Sequence, residues 1–424
     1  MTDRWVSLHA FHRSGTDLLL GTAVGGLVRE LDARLDRFFF LRYWEGGPHL
    51  RLRLLPRDPG DAAMIEKRAT AVLEAHLAAH PTMATWDRER YALLAEEFAR
   101  QEGLAGYDRR LRADDQVEAV AYRPEYATFG GPEAVAAVER HFTDSSRIAL
   151  AILRGEHDHR RRLGHALAAM MLAFMAWEPD PRRLGPLLAR ERDRWDPAPA
   201  RARQQEIFAK QREALTAQAE RCRHIATRPP SSNTPVPAAH AASSDGPAPV
   251  GGPGSSGGPT FTIRSASSDD PVRATSSDGP APVGGPGSSG DPAFTIRSAS
   301  SDGPALAALP GSLAPAGRVL QGAGEARDPL GAWWNSIDTL HRRLVALQQA
   351  GRFHPLRRKK ASPIPGPVDA GPPADEDRYD VLTVLDRCVH LFCNRLGLSI
   401  AEEAHLRYLT AVTLDGAAGK EGTS

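Results

Sequence analysis

The stretch Phe38–Pro56, FFFLRYWEGGPHLRLRLLP, decides how the chain folds. Two strand-like runs flank Glu45-Gly46-Gly47-Pro48, four turn-forming residues, so the segment predicts an antiparallel hairpin. Successive side chains of a strand point to opposite faces, which sets Leu50, Leu52 and Leu54 against His49, Arg51 and Arg53. A leucine face has to be buried, and the remainder of the sequence supplies helices to bury it.

Outward from the hairpin, RWVSLHAFH (Arg4–His12) predicts a first strand. QVEAVAYRP (Gln116–Pro124) predicts another, whose closing proline suits a sheet edge or a strand end better than a central ladder. Period and boundary residues predict helices over 17–35, with Asp17 as N-cap, and over 62–80, 133–142, 145–154, 161–177, 199–225, 330–351, 379–396 and 400–414. The expected class is α+β, a small antiparallel sheet packed by many helices.

That domain is expected to be interrupted. SSDGPAPVGGPGSSGGPTFTIRSASSD (Ser243–Asp269) returns almost unchanged at Ser276–Asp302, a period of 33 residues. Each unit offers only FTIRS between Gly/Pro/Ser tracts, too little apolar surface to offset the entropy of ordering. Residues 227–322 therefore predict a long disordered insertion and 359–377 a shorter linker. Residues 1–226, 323–358 and 378–415 form the parts of one folded domain, and 416–424 a disordered tail.

Composition excludes several classes. Lys and Arg number 53 against 52 Asp and Glu, which removes any global electrostatic case for nucleic acid or an anionic membrane. Cys222, Cys388 and Cys393 give no disulfide framework, so a reducing, cytoplasmic setting is the expectation. The N-terminus lacks a signal core and no run approaches the length of a membrane span. Walker loops, nucleophile elbows and H-E-x-x-H motifs are missing.

Three constellations are candidates for chemistry. Arg51 and Arg53, about 7 Å apart on one strand face, can together grip an anion, or can simply line a solvated basic face with His49. Arg42, among large aromatics, needs a partner if buried. In AYRPEYATFGGPEAV (Ala121–Val135), Glu125 at a strand end can fix an arginine, act as acid or base, or be solvated. In LDRCVHLFCNRLGLS (Leu385–Ser399), His390, Asn394 and Gly397 fall at i, i+4 and i+7 of one helical stripe. His390 suits proton transfer near neutrality, although a lone helical histidine is also a common structural residue. Cys388, His390 and Cys393 do not converge on one helical face, so no metal site is expected there, and no cofactor is called for.

Taken in order, these segments resemble the lantibiotic dehydratase C-terminal domain, also known as the thiopeptide-type bacteriocin biosynthesis domain. The resemblance implies maturation of ribosomally made peptides, with a leader-bearing precursor peptide as substrate and a separate glutamylating dehydratase as partner; the oligomeric state stays open. It further implies that Arg51 and Arg53 bind glutamate and an enolate, that Glu125 orients them, and that His390 moves protons. Arg42, His49, Thr128 and Asn394 would line the substrate. Four of five expected positions favour β-elimination of glutamate from glutamylated Ser or Thr, giving dehydroalanine or dehydrobutyrine. One departs: where the family has arginine and tyrosine in P-E-x-x-R-Y-G-G, this chain has Thr128 and Phe129. That departure keeps open a [4+2] cycloaddition of two dehydroalanines, forming a pyridine with leader release, and also a non-catalytic peptide-binding role.

Overall fold

The computed structural model describes residues 5–83, 87–102, 106–155, 158–180, 183–185, 187–188, 198–228, 328–356 and 374–421. All of them belong to one compact unit. Most of the expected insertion and of the shorter linker lies outside the described residues. Three flanks are helical: one helix continues to Thr227, another begins at Ala374 inside the expected shorter linker, and the last runs to Glu421.

The chain opens with β1 (Val6–Phe11), α1 (Thr16–Leu19), a π-helical turn (Leu20–Val24) and α2 (Gly25–Leu31). Asp17 does not cap this helix. Gly15, at φ 70°, precedes it without a side-chain cap, because the Asp17 carboxylate instead faces Arg42 and Arg162. Leu35 opens β2 (Leu35–Tyr43) instead of closing the helix, and the hairpin returns as β3 (His49–Pro56). There follow α3 (Ala62–Ala79) and α4 (Arg88–Glu102). The sequence reading missed α4, although Tyr91, Ala95 and Ala99 recur at helical spacing and are buried. Then come β4 (Gln116–Ala119), α5 (Tyr126–Phe129) and α6 (Pro132–Gly155). Two helices were expected where α6 runs unbroken. The polar residues that suggest a boundary are satisfied within it: Thr143 donates to the Glu139 carbonyl at 3.1 Å, and Ser145 and Ser146 bond Arg395.

The four strands lie in the order β2-β3-β1-β4, every pair antiparallel. Phe38, Phe40, Leu50, Leu52, Leu54 and Leu8 are almost wholly removed from water on one face. Each contributes about 1.5–3 kcal/mol by burial. The cover is helical. α7 (His159–Trp177) is buried from Arg162 to its end, and is apolar all round as an interior helix must be. Around it stand α8 (Ala198–Thr227), α9 (Pro329–Gln349), α10 (Ala374–Leu396) and α11 (Ile400–Glu421). Trp333 of α9 ties them together, donating to the Ala169 carbonyl at 3.0 Å and packing on Phe392. Among the described residues no helix is long and apolar enough to cross a membrane.

Candidate functional site

The other face of the sheet carries the polar residues. Register places Ser7, His9 and Phe11 of β1 opposite Arg53, Arg51 and His49 of β3, with Phe39, Leu41 and Tyr43 of β2 on the far side. Arg53 is buried, at 7% exposure. Its guanidinium donates to the carbonyls of Leu8 and Leu52 and, at 2.9 Å, to His9 Nε2. Burial and the neighbouring Arg51 lower its pKa to about 10, which leaves it charged at neutrality. No carboxylate among the described residues pairs with it. Arg51 is partly exposed; it stacks 3.4 Å from the Tyr43 ring centroid and reaches His49 Nε2 at 3.2 Å and Glu45 at 3.5 Å.

The two imidazoles in this cluster are neutral. His49 Nδ1 donates to the Gly47 carbonyl at 2.8 Å, which leaves Nε2 to accept from Arg51. Burial, then the charges of Arg53, His49 and Arg51, press His9 down to about 2. Burial likewise lowers His49 to about 3, with the arginines adding to it and the Gly47 bond opposing. His9 was missed in the sequence. The signal was present in VSLHAF, where the alternation of β1 sets His9 on the face away from Leu8.

His390 has the opposite environment. Its side chain is 48% exposed, and Nδ1 lies 2.7 Å from Glu403 Oε2. Enclosure acts to lower its pKa, but the charge and hydrogen bond of Glu403 together outweigh that and raise it above the ordinary imidazole value. Glu403 is buried and also accepts from Arg407 at 2.7 Å, while Arg407 bonds Asp386. Burial acts to raise Glu403, yet His390 and Arg407 hold it at about 2. Local sequence fixes the arrangement. Ser399 and Glu402 form a capping box, Ser399 N–H to Glu402 at 2.8 Å and Glu402 N–H to Ser399 Oγ at 3.3 Å. That box starts α11 where its next residue, Glu403, meets His390.

One turn beyond His390, α10 seals an edge of the sheet. Asn394 accepts from the Arg42 N–H and donates to the Arg42 carbonyl, both at 2.9 Å. Arg395, fully buried, donates to the Phe40 carbonyl at 3.1 Å, and the Phe40 N–H bonds Ser146. Gly397, at φ 79°, follows; a Cβ there would lie 3.1 Å from the Arg42 guanidinium. Arg42 itself bonds Asp17 at 2.5 Å. Asn394 and Arg42 thus have their polar groups engaged within the fold.

The third segment joins the other two. Tyr122 lies beneath Arg53, 5.7 Å from ring centroid to guanidinium carbon, and donates to Glu139 at 2.9 Å. Three residues on, Glu125 is exposed and bonds neither arginine, though burial and the charges of Glu139 and Glu125 push the Tyr122 phenol upward. The Thr128 carbonyl accepts from Arg387, three residues before His390. Gly130 must be glycine: at φ 92° a Cβ would meet Phe353 at 2.6 Å. The structure therefore gathers His49, Arg51 and Arg53 with His9, and pairs His390 with Glu403. Cys388 and Cys393 are buried thiols, and no group of three metal-type side chains occurs among the described residues.

A four-stranded sheet backed by a helical bundle carries, on its last two helices, a histidine–glutamate pair of the kind suited to proton transfer. The chain belongs to the family described as lantibiotic biosynthesis dehydratase C-term, whose model matches residues 5–414. Among curated proteins none matches it. Its fold is similar to that of a pyridine synthase, TbtD, from thiomuracin biosynthesis: TM-score 0.60, 15% identity, with 99% of this chain and 100% of that one covered. It is also similar to TsrL, with TM-score 0.54, 16% identity and coverage of 98% and 97%. The tRNA-dependent lantibiotic dehydratase MibB from Microbispora sp. 107891 matches at TM-score 0.44 and 16% identity, over 99% of this chain but 28% of MibB. Membership of this family places the chain in the maturation of ribosomally made peptides, and the two full-length neighbours share its fold.

Proposed function

We propose that the chain forms a pyridine ring by joining two dehydroalanines of a precursor peptide in a [4+2] cycloaddition, with release of the leader. The observation that carries this reading is the contrast between the surroundings of His390 and those of Arg53 and Glu125. His390, held by Glu403 and half exposed, is placed to exchange protons, while Arg53 is buried and Glu125 bonds neither arginine. Cycloaddition needs a proton moved at the amide that joins the reacting groups, and a donor for the departing water and leader amide. It needs no glutamate clamp. An imidazole raised by Glu403 is a proton donor near neutrality, and its conjugate form returns as the base. The end-to-end match with the pyridine synthase supports the same reading. A separate glutamylating dehydratase would supply the dehydroalanines.

One observation favours a second reading. Arg53 is a buried cation without a carboxylate partner among the described residues, and a substrate glutamate would provide one. Incubating the purified full chain with a leader-bearing dehydrated peptide and with a glutamylated one separates the two. Ring formation with release of a leader fragment is expected from the first. Loss of glutamate mass from the second, with the first unchanged, would replace the proposal by glutamate elimination.

A further inference from the structure

The two edges of the sheet differ. At β2 every outward backbone group of Phe40 and Arg42 is bonded by a side chain from α6 or α10. At β4 the alternation is set by the Val120 N–H, which donates to the Ser7 carbonyl at 3.0 Å, and by the pairing of His9 with Glu118. The N–H and C=O groups of Val117 and Ala119 therefore point away from β1. Nothing among the described residues pairs with them. An unpaired edge is a template for another strand.

The charge around this edge identifies its complement. The acids in and before β4 are engaged inside the fold: Asp108 and Glu118 with Arg112, Asp114 with Arg13, and Asp115 with His12; Glu125, after it, is exposed. Three of its cations are not in ion pairs. Arg109 and Arg110 before β4 and Arg123 after it are exposed and make no ion pair among the described residues. Val120, 37% exposed, adds apolar surface between them. Beyond Ala119 the chain leads through Pro124 into α5, whose Thr128 is tied to Arg387, one turn from His390. A peptide laid along β4 has one end directed towards that turn.

We propose that β4 is a docking strand, on which an acidic, extended segment of the substrate peptide adds as a fifth strand of the sheet. This rests on the reading of the substrate as a peptide, not on which reaction follows.

The test measures binding without turnover, so an enzyme that forms no pyridine still answers it. A random 12-residue phage-displayed peptide library is selected on the full chain, and the enriched sequences are synthesised with a fluorophore for polarisation measurements. Enriched peptides of net negative charge are expected. Val117→Pro removes an outward donor and no ladder bond, and is expected to weaken them by more than about tenfold. N-methylation along the peptide is expected to reduce binding at every second residue, the signature of a paired strand. If Val117→Pro disturbs folding, Arg110→Glu combined with Arg123→Glu, both at exposed positions, is expected to weaken binding in a way that fades at high salt. Peptides that bind the proline or charge-reversed variants as tightly as the parent, peptides indifferent to N-methylation, or a selection that enriches nothing overturn the proposal.

Discussion

His390 and His9 are the same side chain placed in opposite fields. His9, behind Arg53 and beside His49, is pressed to about 2 by burial and neighbouring cations, so it is a fixed hydrogen-bond acceptor over the whole physiological range. His390, half exposed and bonded to a buried glutamate, is raised above the ordinary imidazole value by that carboxylate. The difference shows where acid–base chemistry can reside in this fold: beside the sheet, on the C-terminal helices, and not on the arginine-bearing strand. Arg51 and Arg53 are held by β3, and His390 by α10.

Removing the active half of the comparison has the largest expected effect. His390→Ala should reduce product formation by about 100-fold or more, with a thermal midpoint within about 4 °C of the parent because the side chain is not part of the core. Mass spectrometry of the peptide product, together with a melting curve, checks both. A variant that retains its rate ends the assignment of proton transfer to His390.

Glu403→Gln makes His390 more like His9. The carboxylate that raises the imidazole is lost while partial burial stays, so the pKa falls. Since the donor form exists below that pKa, the high-pH limb of the rate profile should move to lower pH, with a rate loss of about 10- to 100-fold. Stability carries a second sign. A carboxylate depressed from 4.5 to about 2 contributes stability above its unfolded value that disappears as pH falls through the folded one. The variant should therefore lose less stability than the parent over that acidic range, as urea midpoints at several pH values will show.

How much of this was legible in the sequence follows from the range of each interaction. Alternation in HLRLRLL is local, and it gave the hairpin, the buried leucine face and the cluster of His49, Arg51 and Arg53. Pro124 suggested an edge or a strand end; β4 is an edge strand, but it stops at Ala119 and the proline lies beyond it. The role of Asn394 was not, because its partner is backbone at Arg42, 352 positions away in the chain, and backbone acceptors leave no mark in composition. His9 was hidden for a related reason. A histidine between leucine and alanine acquires meaning only once register sets it against Arg51. The pairing of His390 with Glu403 had a local signal, the capping box at Ser399, but the two helices meet only through the turn at Gly397.

Arg53→Met acts on the quiet half of the comparison and has the smallest expected effect on the proposed reaction. Methionine keeps the apolar volume and removes a buried cation, a replacement that is often neutral or stabilising. His9 then loses its donor and its strongest cationic neighbour. Its pKa should rise from about 2, yet stay below the ordinary value of 6.5 because burial, the largest cause, is unchanged. NMR titration of the His9 ring follows this directly. Pyridine formation should survive, since Arg53 is buried and bonded to His9 and backbone carbonyls and the proposed proton donor lies on α10. If glutamate elimination were instead the reaction, the same substitution would abolish it, because Arg53 would be the counter-charge to the departing carboxylates. A single variant, assayed on both the dehydrated and the glutamylated peptide, therefore asks whether the arginine face takes part in chemistry or serves to hold His9 and the sheet in place.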